Sequence, residues 1–332
     1  MALTRKSWPD QRRPRGVCRG PDDSRRLAAA VSPPAFLAAL LAVLWCGPCG
    51  AVSAQPAVAG GVSVTDDAGR QLHLPAPATR VISLAPALTE LVFAAGAGAR
   101  LAGAVEYSDY PPAARDLPRV GDALALQTER ILALKPDLIL AWKRGNNPRQ
   151  LERLADLGVP IYYHDVERLE DIATTLERLG VLLGSPAGAA AEEFRWRLRR
   201  LGQGIDSGAP PVKVFYQVWS RPLMTINGRH VISDLIGRCG GSNVFAAEPL
   251  LVPQVSVESV LVAAPEAIFA PVSAGAASES PLAQWDRHVG IPAVSRKDLF
   301  PIDGDAISRA TPRLLEAGEA ICRHLDGIRR RR

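Results

Sequence analysis

The stretch "RVISLAPALTELVFAAGAGARLAGAV", residues 80–105, carries the pattern from which the fold of this chain is predicted. It begins with an apolar run at 81–86, continues with a helical pattern ending in glycines at 87–98, and returns to an apolar run at 100–105. Continuous apolar runs are typical of strands buried on both faces of a sheet. Because two such strands joined by a helix form a parallel pair, the stretch predicts a parallel sheet covered by helices.

The same alternation continues along the chain. Helices and strands are predicted in turn at 128–136, 137–142, 148–159 and 160–165. Before this region, residues 61–74 contain two short alternating runs around a turn-type cluster, which predicts a β-hairpin. Together these elements predict an α/β lobe over residues 62–165.

A long helical pattern separates this lobe from a second one. Residues 166–205 repeat apolar side chains at helical spacing, which predicts helix between the lobes. After a Gly- and Pro-rich linker at 206–211, strands and helices alternate again up to a closing helix at 311–325. The predicted fold is therefore α/β, with mainly parallel sheets in two lobes, the second over residues 212–328.

The amino terminus has the pattern of a secretory signal peptide. Residues 1–34 are basic, residues 35–45 are apolar, and the small residues Val52 and Ala54 precede a cleavage site after Ala54. This order of charged, apolar and small residues predicts a signal peptide over residues 1–54. The mature chain is then expected in the periplasm.

The leader also contains "WCGPC", residues 45–49, a motif typical of thioredoxin-like oxidoreductases. In those proteins the reactive pair lies at the amino end of a folded helix. Here Cys46 and Cys49 end an apolar run that is predicted to be removed. A periplasmic thiol–disulfide oxidoreductase that uses this pair is therefore the weaker hypothesis.

The charge of the mature chain argues against a nucleic-acid partner. Residues 1–54 hold eight of the 39 basic and three of the 34 acidic residues, so 31 of each remain. The calculated pI of about 9.1 thus describes the leader rather than the mature chain. The final arginines, 329–332, are predicted to be a frayed, solvated tail.

No catalytic or metal-binding pattern is found. The sequence has no phosphate loop and no nucleophile elbow, and its five histidines are scattered rather than paired at ligand spacing. We therefore predict no catalytic residue, no metal site and no enzyme activity. Outside the leader two cysteines remain, Cys239 and Cys322, and an oxidising compartment favours a disulfide over two buried thiols.

Two polar segments are expected at the carboxyl edges of the sheets, where open α/β sheets bind ligands. "EYSDYPP", 106–112, follows a strand and offers two tyrosines, although a tyrosine packed over a loop would give the same pattern. "PIDGDAISRATPR", 301–313, lies between a strand and the last helix. Its Asp305 and Arg309 are either a local ion pair or hydrogen-bonding groups for a polar ligand.

With these segments in place, the sequence resembles the periplasmic cobalamin-binding proteins of ABC importers. That family belongs to the class that also contains siderophore- and haem-binding proteins. The motifs that carry the resemblance occur in order: "VTDDAGRQLHLPAPATRVISLAP" (64–86), "YSDYPP" (107–112), "ERILALKPDLILAW" (129–142), "PQVS" (253–256) and "SRATPR" (308–313). The resemblance covers residues 62–328, and the family's binding domain corresponds to residues 80–332. It implies two lobes bridged by a long rigid α-helix, with the ligand in the cleft between them.

The resemblance also implies roles for particular residues. Tyr107 matches the tyrosine that packs on the corrin ring. The second-lobe segment that touches the ligand corresponds to Asp305, Ala306, Ile307, Ser308 and Arg309. Glu129 and Glu258 match the two acids, one in each lobe, that dock on arginines of the permease. Cys239 and Cys322 lie where the family has a disulfide, and a monomer without a cofactor is the family expectation.

The sequence departs from the family at two positions. Cobalamin binders carry tryptophan where this chain has Ala123 and Val252, and both positions would line the mouth of the cleft. Trp142 and Trp219, at the ends of predicted strands, either compensate for the lost aromatic faces or belong to the core. The predicted function is capture of cobalamin or a related corrinoid such as cobinamide and its delivery to an ABC permease. The alternative is a ferric siderophore or haem in the same fold.

Overall fold

Two parallel sheets organise the structure, a computed structural model that describes residues 60–205, 208–272 and 280–332. The predicted signal peptide, with Cys46 and Cys49, lies outside the described residues. The chain first forms the predicted antiparallel hairpin from β1 (Val62–Thr65) and β2 (Gln71–Leu74). It then enters the first parallel sheet, which contains β3 (Val81–Ser83), β4 (Leu101–Ala104), β5 (Leu138–Trp142) and β6 (Ile161–His164).

The second lobe repeats the arrangement of the first. Its strands are β7 (Val212–Tyr216), β8 (Trp219–Ser220), β9 (Leu223–Met224), β10 (Gly241–Asn243), β11 (Ala267–Val272) and β12 (Leu299–Asp303). The spatial orders of the strands are β4-β3-β5-β6 and β10-β7-β11-β12, so in each sheet the second strand along the chain lies at the edge, next to the first. β8 pairs with β9 in a separate hairpin. Each sheet therefore has a switch point between its first and third strands, between β3 and β5 and between β7 and β11.

Helices cover both sheets. In the first lobe they are α1 (Pro86–Ala94), α2 (Thr128–Ala133) and α3 (Pro148–Asp156). The crossover segment contains α4 (Leu169–Leu183) and α5 (Gly188–Arg200), and the second lobe contains α6 (Val231–Arg238), α7 (Val257–Ala263), α8 (Pro292–Ser295), α9 (Gly304–Ser308) and α10 (Leu314–Arg329). The predicted α/β fold of two lobes with parallel sheets is confirmed.

The crossover between the lobes is two helices rather than one continuous helix. α4 ends at Gly184, whose φ of +60° is a left-handed conformation that favours glycine. A side chain at this position would also bring its Cβ to 3.0 Å from Pro77. Pro186 follows two residues later and cannot continue the hydrogen-bonding pattern of a helix, so the second helix starts afresh.

A continuous apolar core joins the two lobes through this crossover. It includes Leu140 of β5 in the first lobe, Leu176 of α4, and Leu235 of α6 in the second lobe, all fully buried. The closing helix α10 adds Ile321 to the same core. Since α4 contributes to the core beneath both lobes, the crossover is a packed structural element and not a free linker.

The final arginines are solvated, as predicted, since 330–332 are exposed, but ion pairs and hydrogen bonds hold them and they are not frayed. Arg331 forms an ion pair with Asp298 at 2.5 Å, and Arg332 forms one with Glu266 at 2.5 Å. Arg329 donates to the carbonyl of Cys239 at 2.8 Å. The two acids lie just before β12 and β11, at the amino edge of the second sheet, so the end of α10 finds carboxylate partners there.

In the ranges that the structure describes, no helix has the length and apolar character needed to cross a membrane.

Candidate functional site

The carboxyl edges of the two sheets face each other and meet at both of their ends. At one end Arg309, which follows β12, contacts Asp109 and the carbonyl of Tyr107, which follow β4. At the other end the backbone N–H of Leu169, which follows β6, donates to Asp234 of α6 at 2.9 Å. The middle strands of each sheet, with their switch points, end between these two contacts. We call the space between the edges the cleft.

Several aromatic side chains are exposed at these edges, including Tyr110, which is 43% exposed. Tyr107 follows β4 and is 77% exposed, Trp142 ends β5 and is 44% exposed, and Trp219 begins β8, just after β7, and is 63% exposed. The interpretation of the two tryptophans as core residues is therefore wrong. Large exposed aromatic faces beside a sheet's switch point form a surface suited to a large, flat, partly apolar ligand.

Local contacts hold both tryptophans. The indole of Trp142 lies across the backbone of Gly145, where an added Cβ would come within 1.8 Å of the ring. Trp219 donates its indole N–H to the carbonyl of Arg221 at 2.9 Å. These contacts orient the rings but leave much of their surface exposed.

Two buried amides support the cleft behind these rings. Asn146 accepts a hydrogen bond from the backbone of Trp142 at 2.7 Å and donates to the carbonyls of Leu84 and Ala123, each at 2.9 Å. It thereby ties three segments of the first carboxyl edge together. In the second lobe Gln217 accepts a hydrogen bond from the indole of Trp285 at 2.7 Å. A single Asn or Gln has no sequence signal of its own, so sequence reasoning missed both residues.

Tyr107 has an unusual backbone conformation. Its φ of +63° lies in the left-handed region, which costs a bulky residue on the order of 1–3 kcal/mol. Its neighbours hold it in place: Glu106 donates to the carbonyl of Gly121 at 2.8 Å, and the hydroxyl of Thr89 donates to Ser108 at 3.1 Å. The exposed ring also excludes the interpretation that this tyrosine packs over a loop.

The second-lobe segment of the predicted site is only partly exposed. Asp305 and Ser308 are exposed on α9. Ala306 and Ile307 are buried in the core, so their side chains point away from a ligand in the cleft. Arg309 is only 12% exposed and lies 3.8 Å from Asp305, close enough for the local ion pair that the sequence allowed.

A buried carboxylate explains the position of Arg309. Glu90 of α1 is 3% exposed and accepts hydrogen bonds from Arg309 at 2.8 Å, Thr311 at 3.0 Å and Arg313 at 3.3 Å. Arg309 also bonds Asp109 at 2.8 Å. We call these five residues the Glu90 cluster. Glu90 was missed because it lies 219 residues from Arg309 in the sequence and looks like an ordinary polar residue of an apolar helix.

The charge of Arg309 also acts on Asp109. Partial burial alone would raise the pKa of this carboxyl, but the hydrogen bond and the positive charge of Arg309 outweigh burial and lower it. Asp109 therefore stays ionised and keeps its bond to Arg309 when the pH falls below neutrality.

The two positions that depart from the family lie in equivalent loops. Ala123 lies in the loop before α2 and Val252 in the loop before α7, and both are half-buried. A large apolar neighbour is exposed in each loop, Leu124 in the first lobe and Leu250 in the second. These leucines place apolar surface next to the two positions where the resemblance implies tryptophan, and sequence reasoning did not single them out.

The two predicted docking acids lie at matching places. Glu129 is the second residue of α2 and Glu258 is the second residue of α7. Each helix crosses from the second to the third strand of its sheet, and both side chains are exposed. Hydrogen bonds from its own backbone N–H and from Ser256 hold the pKa of Glu258 below its usual range, so it remains charged.

The cysteine prediction is confirmed, because Cys239 and Cys322 form a disulfide. Cys239 ends α6 and Cys322 lies in α10. Within the described ranges no cluster of three or more His, Cys, Asp or Glu could hold a metal ion.

A half-buried histidine lies near the second contact between the lobes. His230 precedes α6, and its Nδ1 accepts a hydrogen bond from the backbone N–H of Ile232 at 3.2 Å. Burial, and then the positive charge of Arg144 in the first lobe, lower the pKa of His230 from 6.5 to about 4. Between pH 6.5 and 4 the unfolded chain binds a proton at His230 and the folded chain does not. Acidification over this range should therefore lower the free energy of unfolding by up to about 3 kcal/mol.

We expect His230→Asn to make the free energy of unfolding less dependent on pH between 6.5 and 4.5. Asparagine keeps a hydrogen-bond acceptor at the helix start but does not titrate. Urea unfolding at a series of pH values measures the effect, and the carboxylates that titrate in the same range are common to both proteins. The matched control is His73→Asn, which alters an exposed histidine. Parallel stability profiles for wild type and His230→Asn would contradict the assignment.

Comparisons with known proteins agree with this architecture. The family described as "Periplasmic binding protein" matches residues 81–306. The vitamin B12-binding protein of Vibrio parahaemolyticus is 39% identical over 259 residues, which cover 77% of this chain and 92% of the relative. The vitamin B12-binding protein of Vibrio cholerae is 41% identical over 256 residues, covering 76% of this chain and 91% of the relative.

Solved structures give the same result for the fold. The crystal structure of the periplasmic vitamin B12 binding protein of Vibrio cholerae aligns with a TM-score of 0.68 at 39% identity, covering 76% of this chain and 98% of that one. A periplasmic haem binding protein of Vibrio cholerae aligns with a TM-score of 0.64 at 21% identity, covering 74% of this chain and 98% of that one. At that identity the second likeness concerns the fold alone.

Proposed function

Because this chain belongs to the periplasmic binding protein family, we propose that it captures cobalamin or a related corrinoid in the periplasm and delivers it to an ABC import permease. The observation that carries the proposal is the set of exposed rings of Tyr107, Trp142 and Trp219 at the facing sheet edges. A corrin is a large ring with apolar faces and a rim of amide groups, which matches such a surface. The vitamin B12-binding relatives in Vibrio support the same ligand class.

In this proposal the corrin lies in the cleft with Tyr107 against one side of the ring. The exposed Asp305 and Ser308 approach the opposite side and hydrogen-bond its amides. Leu124 and Leu250 supply apolar contact at the mouth, where the family has tryptophan. Each leucine gives less contact area than an indole, so a corrinoid of different peripheral size, such as cobinamide, is a natural second ligand to test.

The second candidate is haem or a ferric siderophore in the same cleft. The missing tryptophans at Ala123 and Val252 favour it, since they remove two faces on which a corrin would pack. The likeness to haem-binding proteins at 21% identity adds only that the fold is compatible. A thiol–disulfide oxidoreductase would need Cys46 and Cys49 in the mature protein, and amino-terminal sequencing of the exported protein tests whether they are retained.

We expect the protein purified from the periplasm to bind cyanocobalamin at about one ligand per chain. Isothermal titration against cyanocobalamin, cobinamide, haem and a ferric siderophore gives the stoichiometry and the order of affinity. A corrinoid should bind most tightly, because the aromatic edge and the amide-binding side chains match both of its features. A folded protein that binds haem or the siderophore but neither corrinoid would contradict the proposal.

A further inference from the structure

We propose that Glu90 is a positioning residue for Tyr107 and that it acts through Arg309. This inference rests on the proposed function for the role of Tyr107 in ligand binding. The claim that Glu90 holds Tyr107 in position concerns the protein without ligand. Glu90 does not face the cleft, because its side chain is 3% exposed. Its effect on the ligand-binding surface therefore has to pass through the residues it contacts.

The chain of contacts is short. Glu90 of the first lobe holds one guanidinium nitrogen of Arg309, from the second lobe, at 2.8 Å. The other nitrogen of that guanidinium donates to the backbone carbonyl of Tyr107 at 3.2 Å. Asp109, two residues after Tyr107, bonds Arg309 as well. The planar guanidinium thus links the buried carboxylate to two points on the carboxyl-terminal side of Tyr107, its own carbonyl and Asp109.

The backbone of Tyr107 needs such support. A tyrosine at φ +63° persists only when its surroundings determine its conformation, because less strained conformations are available to it. Helix α1 supplies two of the constraints. Thr89 fixes the Ser108 side chain, and the adjacent Glu90 fixes the carbonyl of Tyr107 through Arg309. One helix of the first lobe and one arginine of the second therefore restrain the backbone of Tyr107, and with it the direction in which the side chain leaves the chain.

The other end of the cleft provides a matched control within the same molecule. α1 follows the first strand of its sheet, and α6 follows the first strand and hairpin of the other sheet. Asp234 of α6 accepts from the backbone of Leu169 at 2.9 Å and from Arg168 at 3.5 Å, so it also joins a helix of one lobe to the other lobe. Asp234 has no contact with Tyr107, Trp142 or Trp219 in the described residues. Substituting Asp234 therefore weakens a contact between the lobes without affecting the residues that hold Tyr107.

The experiment is a double-mutant cycle on cyanocobalamin affinity with Glu90→Gln, Tyr107→Ala and the two combined. Glutamine keeps the shape of the side chain but removes the charge that holds Arg309. Glu90→Gln should weaken binding about tenfold in the wild-type background and less than twofold in the Tyr107→Ala background, because the group it positions is then absent. Asp234→Asn should leave the affinity within twofold. The proposal would be overturned if the double variant lost affinity by the product of the two single losses. It would also be overturned if Asp234→Asn lost as much affinity as Glu90→Gln.

A second readout needs no ligand. With 3-fluorotyrosine incorporated, the fluorine resonance of Tyr107, assigned with Tyr107→Phe, should shift or broaden in Glu90→Gln and stay unchanged in Asp234→Asn. The buried Tyr162 serves as an internal reference. If the chain binds no corrinoid at all, the proposed function fails while this resonance still decides the positioning role. Should Glu90→Gln not fold, Arg309→Lys replaces it, since a lysine cannot bond Glu90, Asp109 and the Tyr107 carbonyl at once.

Discussion

Reversing both docking charges, with Glu129→Lys and Glu258→Lys in one chain, should abolish corrinoid uptake while cobalamin binding by the purified protein stays within twofold. The two acids lie at matching positions of α2 and α7, one in each lobe, and are exposed. If arginines of the permease receive them, each reversal places like charges opposite each other. Such a juxtaposition costs several kcal/mol, and two of them together should prevent a stable complex.

Uptake of radiolabelled cyanocobalamin by cells that lack their own binding protein measures this effect. The matched control is Glu152→Lys with Glu316→Lys, which changes net charge equally at two exposed glutamates, one in each lobe. The control chain should support normal uptake. Equal uptake by the docking variant and the control would show that Glu129 and Glu258 do not contact the permease.

Removing the disulfide, with Cys239→Ala and Cys322→Ala, should lower the free energy of unfolding by about 4 kcal/mol. The bond spans 83 positions of sequence, and a closed loop of that length strongly restricts the unfolded chain. Alanine is chosen because Cys239 is fully buried and alanine adds no polar atom there. Urea unfolding of the two proteins gives the difference directly.

The wild-type protein under reducing conditions is the control for this comparison. It should lose the same stability as the double variant, because both then lack the closed loop. A loss below about 1 kcal/mol in both samples would mean that the unfolded chain is already compact enough for the bond to add little.

Much of the fold follows from the sequence because its strands are buried on both faces and therefore continuously apolar. The stretch at 80–105 shows this pattern and forms β3, α1 and β4. The strands β8 and β9 have only two residues each, which is too short for such an apolar pattern to appear in the sequence. Helical spacing continues on both sides of Gly184, so the pattern predicts helix over 166–205 but does not give the bounds of α4 and α5.

The residues of the candidate site also differ in how far the sequence predicts them. Tyr107, Trp142 and Trp219 could be proposed as site residues because the carboxyl end of a strand is a position that sequence patterns can locate, and the structure shows that all three are exposed. Whether a side chain at such a position is exposed depends on packing, and Ala306 and Ile307 were expected to reach the ligand although they are buried. The Glu90 cluster was not predictable, because its members come together only when the two lobes meet.

The core that runs from Leu140 through Leu176 to Leu235 has a kinetic consequence. Separating or closing the lobes by a large rotation would expose this apolar surface, so we expect the lobes to move little when a ligand binds. Ligand association should then be a single step whose observed rate rises linearly with ligand concentration, without the plateau that a preceding or following closure would produce. No part of the binding free energy is then used to close the cleft.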